Sequence, residues 1–554
     1  MLKNELSDFV FKLVSYGLFF VTLIIAPNLA MDPINTPKML ALLPIGLTAG
    51  GLVILNLFKK PRRKLPLTYF AVILFITASL LVFFFSGAPY TQQLFGVTGR
   101  NTGLLSYIAL SLFLLAAYEV ANAKNLMKTP RLVLLIAGFS IFYGFLQSLN
   151  IDFFDWSNPY NRVFGFLGNP NFQSSLVGMF VAFVIALGLG TKKISKITFL
   201  YVAYIVLGFF VIYQTHSQQG FLVVAAGVVI PGFMYLRASG RKVLVGSYLS
   251  LLFPATLLTI LGMLKIGPLA SVLYKESVTY RGDYWTAGLK MATQNPIFGV
   301  GFDSYGQWYR RARSVEATLR RGPEFTSNAA HNVYIDIFSN GGVILLASYL
   351  FFTCLTLAAI FKIVKNQTKY DPIVAAIIGI WVAYQAQSII SINQLGLAIW
   401  GWVISGLIIG CAFNSKNENE LQGSKAVKKS SISPEILMKS IGLFLVGVFL
   451  ALPTFIGSAN YKNALESSNQ QTITDAAYKF PMEVSRMGEI AILLSQNQLG
   501  KDALQIAKDL TTKFPDSYEG WRLINSLSTS TPSEKKNAMI EMKRLDPNNP
   551  DLKK

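Results

Sequence analysis

The stretch MLALLPIGLTAGGLVILNL, residues 39–57, is followed almost at once by KKPRRK, residues 59–64. The first segment is long enough for a helix to cross a hydrocarbon core of about 30 Å. The second places five positive charges in six residues. Lysine and arginine gather in the cytoplasmic turns of membrane proteins. This pair of segments therefore predicts a membrane-spanning helix whose following turn is cytoplasmic.

The same alternation of apolar spans and short basic turns recurs along the chain, which is 52% hydrophobic and only 14% charged. Such a composition excludes an ordinary soluble protein of this size. We predict an all-α fold, a polytopic membrane helical bundle of about thirteen transmembrane helices. The first span resembles a signal peptide, but we interpret it as a membrane helix because so many spans follow. The predicted spans lie near residues 13–25, 39–57, 67–85, 103–121, 131–149, 172–190, 197–214, 219–236, 243–264, 332–361, 372–390, 395–413 and 436–456.

The charge pattern predicts the orientation of the bundle. The formal net charge of +21 does not imply a nucleic-acid partner, because the basic residues cluster in every second turn. By this parity the N-terminus is inside. The loops near Arg100, at Asn150–Asn171 and near His216, together with a long polar insert at residues 265–331, are then outside. The unusual polar motifs thus share the outer face.

The domain organisation follows from shifts in composition. We predict a membrane domain at residues 1–413 with its outer loop at 265–331, a cytoplasmic linker at 414–433 and a final transmembrane helix at 434–456. Residues 457–554 form a soluble extracytoplasmic tail. Three short motifs that end in proline recur in it at spacings of 34 and 32 residues, which is typical of tetratricopeptide repeats. They are Tyr478-Lys479-Phe480-Pro481, Thr512-Lys513-Phe514-Pro515 and Arg544-Leu545-Asp546-Pro547. Such arrays bind protein or peptide partners; the alternative is a plain helical bundle that shields the outer loops.

The sequence predicts neither a metal site nor a cofactor. Cys354 and Cys411 fall inside apolar spans, where cysteine behaves as a small buried hydrophobic residue. Two histidines and two such cysteines do not make a convincing metal site. The chain also has no phosphate-cradling glycine loop of the nucleotide-binding type.

The insert is rich in cations, with nine basic residues against five acidic ones. The positive-inside rule does not govern so long a loop, so an anionic ligand is the more specific explanation. Arginine suits this role, because its planar fork grips phosphate oxygens in a bidentate manner. The alternative is a solvated loop that rests on anionic headgroups. The cluster that raises this question comprises Arg310, Arg311, Arg313, Arg320 and Arg321.

Two further arginines are predicted on the outer face. Arg100 sits in GVTGRNTG, residues 96–103, where a loop re-enters the membrane. A charge at that depth needs a partner or a function, so we predict that Arg100 binds an anionic group. Arg162 lies on the same side, and for it snorkelling to the interface is the stronger interpretation.

The chain has two histidines, His216 and His331, and both are predicted on the outer side. Histidine is the side chain best matched to proton transfer near neutral pH. An isolated histidine is more often structural. His331 is the better candidate because it ends the cationic insert and begins a membrane helix.

Taken together, these motifs resemble the O-antigen ligase and polymerase superfamily, which also includes protein O-oligosaccharyltransferases. The resemblance rests on Arg281 with aromatic residues after it, NPIFGVGF at residues 295–302, AHNVYID at 330–336 and Gly341-Gly342, with support from residues 96–103 and 168–171. It spans about residues 90 to 410. It implies a glycosyltransferase of the outer leaflet of the bacterial cytoplasmic membrane. The donor would be a polyprenyl-diphosphate-linked glycan, and neither metal nor nucleotide would be needed.

One departure from the family pattern stands out. Where such proteins often have Thr-x-Ser-Arg-Gly, this chain has Thr215-His216-Ser217-Gln218-Gln219-Gly220. Gln218 thus occupies the position of an expected arginine. Either another arginine supplies that contact with the diphosphate, or the donor differs.

The residues and the resemblance agree on a mechanistic hypothesis. Arg281 and Arg100, assisted by Arg162 and Gln218, would bind the donor diphosphate and stabilise its charge as it leaves. His331 would accept the proton of the attacking acceptor hydroxyl, and displacement would invert the anomeric centre. The secondary candidates are His216, Asn171, Glu276, Asp283, Arg310 and Arg311, with Glu276 and Asp283 as reserve bases.

Other functions remain open from the sequence. A transporter or flippase of an anionic lipid-linked substrate also uses many helices and intramembrane charges, although the chain shows no convincing inverted repeat. A receptor or scaffold would not need a dozen spans. Within the glycosyltransferase interpretation, the acceptor is a lipid core, a growing polysaccharide or a protein hydroxyl.

Overall fold

The computed structural model describes residues 4–59, 64–156, 158–414 and 433–553. Most of the predicted basic turn at 59–64 and of the predicted linker at 414–433 lies outside these ranges. The described residues contain helices and no strand, which confirms the predicted all-α fold.

Twelve helical segments within the described ranges are long and apolar enough to cross a membrane, and a thirteenth apolar helix, Leu104–Val120, is shorter. This agrees with the predicted number of about thirteen and confirms a polytopic bundle. The helices up to residue 414 are α1 Asn4–Leu23, α2 Asn35–Lys59, α3 Leu67–Phe85, α4 Tyr90–Phe95, α5 Leu104–Val120, α6 Ala123–Leu126, α7 Thr129–Ser148, α8 Pro170–Leu189, α9 Lys196–Gln214, α10 Gln219–Ala238, α11 Lys242–Met263, α12 Ala270–Leu273, α13 Glu276–Gln294, α14 Tyr305–Ala312, α15 Val315–Arg321, α16 Val333–Asn366, α17 Pro372–Ile390 and α18 Leu395–Asn414.

Helix α18 lies at the centre of the bundle, where it packs on α5, and Trp400 and Trp402 on it are fully buried. A helix that is apolar on every side belongs in such a position. Helix α11 is as apolar but is buried on almost no side. Its side chains therefore face the lipid.

The loops predicted to be outside meet at one end of the bundle. Asn35, after the α1–α2 turn, donates a hydrogen bond from Nδ2 to the carbonyl oxygen of Gly99 at 2.8 Å and accepts one from Gln394 Nε2 at 3.1 Å. The backbone N–H of Asp32 donates to Ser458 Oγ in the C-terminal part at 2.9 Å. Four segments far apart in sequence thus form one polar end.

Helix α16 is broken at Gly342, and the break receives the turn at residues 295–302. Gly342 has φ 64°, and a Cβ atom there would lie 2.2 Å from the carbonyl oxygen of Ile297. The N–H of Val300 donates to the carbonyl oxygen of Ser339 at 2.9 Å. Glycine is required because only it allows this backbone conformation and this close approach. The contact fixes the insert to the first membrane helix that follows it.

The C-terminal part begins with one continuous helix, α19 Pro434–Ser467. Its 34 residues extend over about 51 Å at 1.5 Å per residue, so it crosses the bilayer and continues into the tail. The predicted boundary at residue 457 lies inside this helix. The remaining helices are α20 Gln470–Ala477, α21 Val484–Gln496, α22 Gly500–Lys513, α23 Tyr518–Ser526 and α24 Pro532–Leu545.

The tail helices are arranged in pairs, since α21 packs on α22 and α23 on α24. Helices α20, α22 and α24 end shortly before Pro481, Pro515 and Pro547. The spacing of these prolines therefore corresponds to helix pairs. Membership of the tetratricopeptide class stays a prediction.

Candidate functional site

Helix α13 brings Arg281 against the start of α16. Two turns after Arg281, Gly288 packs so closely that a Cβ atom there would lie 2.6 Å from Ile335 Cγ2 and 3.2 Å from the Tyr305 ring. A larger residue would push α13 outward. Glycine at this position thus allows the face that carries Arg281 and Tyr284 to approach His331.

His331 sits in the last turn before α16. Its backbone is left-handed, with φ 53°, a conformation that is uncommon for residues other than glycine and often found at functional sites. Its ring lies 5.3 Å from the Tyr284 ring, between centroids, at an interplanar angle of 31°. The next residue, Asn332, caps α16 by accepting hydrogen bonds from the N–H groups of Tyr334 and Ile335. The cap and the tyrosine together fix the imidazole.

Two arginines near His331 have no carboxylate partner among the described residues. Arg281 is half-buried on α13 and takes part in no ion pair. Arg321 donates from Nη1 to the Tyr284 hydroxyl at 2.7 Å, and its guanidinium lies 3.5 Å from the Phe325 ring centroid. We call Arg281, Tyr284, Arg321 and His331 the His331 centre.

Trp285 follows Arg281 by four residues, which places both on neighbouring positions of one helix face. Its indole Nε1 is buried and has no hydrogen-bond partner within the described ranges. Buried polar atoms are nearly always paired, so an unpaired one needs an explanation. An additional acceptor from a ligand would satisfy it.

The surroundings of His331 keep its imidazole neutral. Burial, as the largest cause, and the charges of Arg281, Arg100 and Arg321 together lower the pKa of His331 to about 4. Burial likewise lowers the pKa of the Arg281 guanidinium. The centre therefore combines an imidazole able to accept a proton with cations that lack a counter-ion.

Arg100 lies deeper, and its charge is balanced. It is 4% exposed, with Nε 3.7 Å from Asp303 Oδ1 and Nη2 3.7 Å from Asp336 Oδ2. Its Nη1 donates to the carbonyl oxygen of Asn328. Arg100 thus joins three segments behind His331. Its predicted contact with a diphosphate stays a prediction, and the geometry favours a positioning role.

Asp303 and Asp336, the partners of Arg100, were not predicted from the sequence. Asp303 accepts hydrogen bonds from the N–H groups of Val97 and Thr102, each at 3.1 Å, and so shapes the glycine loop, residues 96–103. Asp336 Oδ1 accepts from the N–H of Ala330 at 2.7 Å. Asp303 directly follows the motif at 295–302, and Asp336 is the last residue of the motif at 330–336. Their places beside these motifs were the signal by which the sequence could have indicated them.

The arginines at the start of the cluster bind the tail. Arg313, only 1% exposed by its side chain, pairs with the fully buried Asp546 at 2.6 Å, and Arg310 pairs with the same carboxylate at 3.3 Å. Arg311 pairs with Asp516. We call these five residues the clamp. The secondary candidates Arg310 and Arg311 therefore hold the tail and do not face an open anion site.

The two reserve bases have surface partners. Glu276 accepts a hydrogen bond from the Tyr280 hydroxyl at 3.0 Å. Asp283 accepts two from Arg320 Nη1, both at 3.0 Å, and burial raises the pKa of its carboxyl. Neither residue belongs to the His331 centre.

Arg162 and His216 meet in a second cavity, of about 370 Å³, beside the C-terminal ends of α7 and α9. The lining also includes Asp155 and Trp156. Neither Arg281 nor His331 lines this cavity. The structure thus brings Arg162 and His216 together, but apart from the other predicted site residues.

Gln218 and Asn171 connect loops. Gln218 Nε2 donates to the carbonyl oxygen of Val272 in α12 at 3.0 Å. Asn171 Oδ1 accepts from Ser217 Oγ at 2.8 Å. The turn that departs from the family pattern therefore contacts the beginning of the insert. Arg281 and Arg321 are the candidates to replace the arginine that Gln218 stands in for.

A neutral imidazole lies beside two arginines that form no ion pair within the described part of the chain, at the polar end of a bundle of membrane helices. This arrangement is a candidate site for an anionic substrate. Residues 203–350 match the family model of the O-antigen ligases. The matched region contains Arg281, Arg321 and His331, and it confirms the resemblance predicted from the sequence motifs. The chain is thus a multi-pass membrane protein whose residues 203–350 are similar to the O-antigen ligases. None of the curated proteins matches the chain.

Proposed function

We propose that the protein transfers a glycan from a polyprenyl-diphosphate carrier to an acceptor hydroxyl at the outer face of the bacterial cytoplasmic membrane. The observation that carries the proposal is the pair Arg281 and Arg321, which form no ion pair with a carboxylate of the described residues, beside the neutral imidazole of His331. The tail would then be extracytoplasmic and the N-terminus cytoplasmic, as the basic turns predict.

Arg281 and Arg321 would bind the diphosphate. When the bond between the anomeric carbon and the diphosphate oxygen breaks, the electron pair stays on the diphosphate, whose negative charge increases. Fixed cations in a water-poor site stabilise this change most effectively. Arg100, held by Asp303 and Asp336, would position the His331 turn and add its field.

His331 would accept the proton of the acceptor hydroxyl while that oxygen forms its bond to the anomeric carbon. A pKa of about 4 makes the free imidazole a weak base. A bound diphosphate would neutralise the field of the arginines and raise this pKa. The base would therefore become effective when the donor is in place. Attack opposite to the leaving diphosphate inverts the anomeric centre, and no step in this scheme requires a metal.

The experiment is a transfer reaction with the full-length protein in nanodiscs. A polyprenyl-diphosphate oligosaccharide is incubated with a lipid, a glycan or a hydroxyl-containing peptide, and products are identified by mass spectrometry. We expect one acceptor class to gain the glycan. Arg281→Ala should slow product formation by about 100-fold or more, and Arg162→Ala, which changes an arginine in the second cavity, should leave it unchanged.

Two outcomes would contradict the proposal. Transfer that is equally fast in Arg281→Ala would remove the diphosphate role. Movement of the intact donor across the bilayer, without transfer to any acceptor, would favour a transporter. The structure offers one argument against the transporter, because the break in α16 at Gly342 is filled by the backbone of the insert and is not open to a substrate.

A further inference from the structure

A second site lies between the insert and the docked tail. This cavity has a volume of about 330 Å³, within the usual range of small-molecule sites. One wall comes from α4 and the glycine loop, with Thr91. The second comes from the insert, with Thr326 and Asn328, and the third from the tail, with Met482 and Ser485. We call it the tail cleft.

The charged groups that line the tail cleft are already engaged. Arg310 pairs with Asp546, and Asp516 with Arg311. Glu519 pairs with Arg522. Two other carboxylates of the lining, of Asp303 and Glu483, hold the glycine loop through Thr102 and Thr98. Asp303 also pairs with Arg100, so Glu483 is the one charged group of this lining without an ion-pair partner in the described ranges, and its carboxylate accepts a hydrogen bond from Thr98. Because the other charges are paired, a ligand of this cleft is expected to be uncharged.

Neutral polar side chains, in contrast, are free. Within the described ranges, Thr91, Thr326, Asn328 and Ser485 form no side-chain hydrogen bond. They belong to three different walls, so a ligand that satisfies them presents hydroxyl or amide groups in several directions. Apolar atoms of Met482 and its neighbours lie between them.

A sugar ring fits this arrangement better than a peptide. Its hydroxyl groups point outward around the ring, and its C–H faces suit the apolar part of the wall. Helical arrays bind peptides along an extended concave surface, whereas this site is a cavity of about 330 Å³. The volume of the cleft accommodates one or two sugar units and not a long helix.

The cleft is close to the His331 centre. The carbonyl oxygen of Asn328 accepts the hydrogen bond from Arg100 Nη1, and His331 follows Asn328 by three residues. Consecutive Cα atoms are about 3.8 Å apart, so the Cα atoms of Asn328 and His331 are separated by at most about 11 Å. A short glycan held in the cleft would reach the imidazole.

We propose that the tail cleft binds a neutral sugar of the acceptor and directs its hydroxyl group towards His331. This inference rests on the proposed function. It assigns a role to the tail, whose residues form one wall of the site.

The test uses a cleft-filling variant of the full-length protein in nanodiscs. Ser485 is exposed on α21 and lines the cleft, so Ser485→Trp blocks the cavity without disturbing the packing of the tail. Gln496→Trp, at the exposed end of the same helix and away from the cleft, is the matched control. The probe is an array of neutral oligosaccharides of two to six glucose, galactose or N-acetylglucosamine units, printed beside peptides that contain serine and threonine.

We expect at least one neutral oligosaccharide to bind, with binding at least tenfold weaker in Ser485→Trp and unchanged in Gln496→Trp. A double variant, Thr326→Ala with Asn328→Ala, removes two free polar groups without added bulk and should weaken binding in the same direction. If no oligosaccharide binds at millimolar concentration, or if Ser485→Trp does not affect binding, the proposal is overturned. Peptide binding that is lost in Ser485→Trp would also overturn it, in favour of a peptide acceptor.

A parallel measurement separates this inference from the proposed function. Binding of farnesyl diphosphate, a short polyprenyl diphosphate, should be lost in Arg281→Ala and retained in Ser485→Trp. Sugar binding should show the opposite pattern. If the wild-type protein bound sugar but not farnesyl diphosphate, the proposed function would fail while the cleft assignment stood; the reverse result would overturn the cleft alone.

Discussion

The clamp and the His331 centre contain the same type of side chain in the same insert, yet their arginines differ in partners. Arg313 donates to the carbonyl oxygen of Phe325 at 2.8 Å, to that of Pro323 at 2.9 Å and to the carboxylate of Asp546. Its hydrogen-bonding capacity is used within the protein. Arg281 has no carboxylate partner among the described residues. An arginine that keeps its charge free near a buried imidazole is available to a ligand, whereas a paired one stabilises the fold.

The two regions are also connected. The clamp holds the backbone of Phe325, and the ring of Phe325 carries the guanidinium of Arg321 at 3.5 Å. The same ring stacks on Tyr284, 6.3 Å between centroids. Docking of the tail therefore sets the surface on which a cation of the His331 centre rests.

The variant expected to separate the two regions most clearly is His331→Ala, which should affect transfer and not the docking of the tail. His331→Ala should reduce glycan transfer by about 100- to 10,000-fold, the usual contribution of a general base, and should leave the tail docked. His216→Ala changes the other histidine, in the second cavity, and should have little effect. The measurement is the initial rate of transfer, with tail docking followed by hydrogen exchange of α23 and α24. Wild-type transfer by His331→Ala would show that the imidazole is not the base.

A variant of the clamp should loosen the tail first and slow transfer only as a consequence. Asp546→Ala leaves the buried Arg313 without its counter-ion, which typically costs about 3–5 kcal/mol. We expect faster hydrogen exchange in α23 and α24 and, because Phe325 loosens, slower transfer. Glu466→Ala, which removes the partner of Lys462 in an exposed pair on α19, is the matched control.

A companion variant tests whether charge or contact holds the tail. Replacing the pair, with Arg313→Met and Asp546→Leu together, should restore much of the docking, since well-packed apolar residues often substitute for a buried ion pair. Unchanged hydrogen exchange in Asp546→Ala would mean that the clamp does not hold the tail.

These partners explain which features could be predicted from the sequence. The helices and their number follow from the lengths of the apolar spans. The expectation that certain loops share one end of the bundle follows from the basic turns. Both are properties of neighbouring residues. The prediction of His331 and Arg281 rested on motifs within the insert. Arg310 and Arg311 were grouped with them because a sequence shows a charge but not its partner. Their partners, Asp546 and Asp516, lie more than two hundred residues later.

Arg100 shows the same limitation. Its position in the glycine loop indicated a buried charge with a partner or a function, and the structure supplies two aspartates. Asp303 follows a glycine-rich motif, and Asp336 ends the motif that contains His331. No local pattern in either segment indicated that these aspartates form ion pairs. Arg321 was one of five similar arginines, and only the fold distinguishes it.

The rate of glycan transfer should depend on the planar guanidinium of Arg281, a cation of the His331 centre. Arg281→Ala should slow transfer by about 100- to 1,000-fold, as expected when one preorganised donor to a developing anion is lost. Arg281→Lys should be nearly as slow, because an ammonium lacks the planar fork. Arg320→Ala, which removes an exposed arginine paired with Asp283, should transfer at a rate close to wild type. A fully active lysine variant would contradict bidentate binding of the diphosphate.

The smallest expected effect is a shift in the pKa of His331 when an anion binds. In the free protein this pKa lies at about 4 because of burial and of the charges of Arg281, Arg100 and Arg321. A diphosphate bound to the arginines adds opposite charge near the ring and should raise the pKa by about 1–3 units. Since the chain has only two histidines, the NMR signals of labelled imidazole carbons can be assigned with His216→Ala and followed against pH, with and without farnesyl diphosphate. A pKa that stays at its free value while the lipid is bound would place the diphosphate away from the His331 centre.

The same pKa fixes the sign of a stability effect. The folded value of about 4 lies below the ordinary value of 6.5, so the unfolded chain binds more protons between these limits. The contribution of His331 to stability is therefore fully present above about pH 6.5, is lost as the pH falls towards 4 and changes no further below that. Bound farnesyl diphosphate should raise the folded pKa of His331 and so shorten, at its acidic end, the pH range over which this contribution changes. His331→Ala should remove the contribution. Arg281→Ala should raise the free pKa, because one repulsive charge is gone, and should weaken the response to the lipid. The clamp variant Asp546→Ala, in contrast, should change the pKa of His331 only as far as it displaces Arg321 from the ring of Phe325.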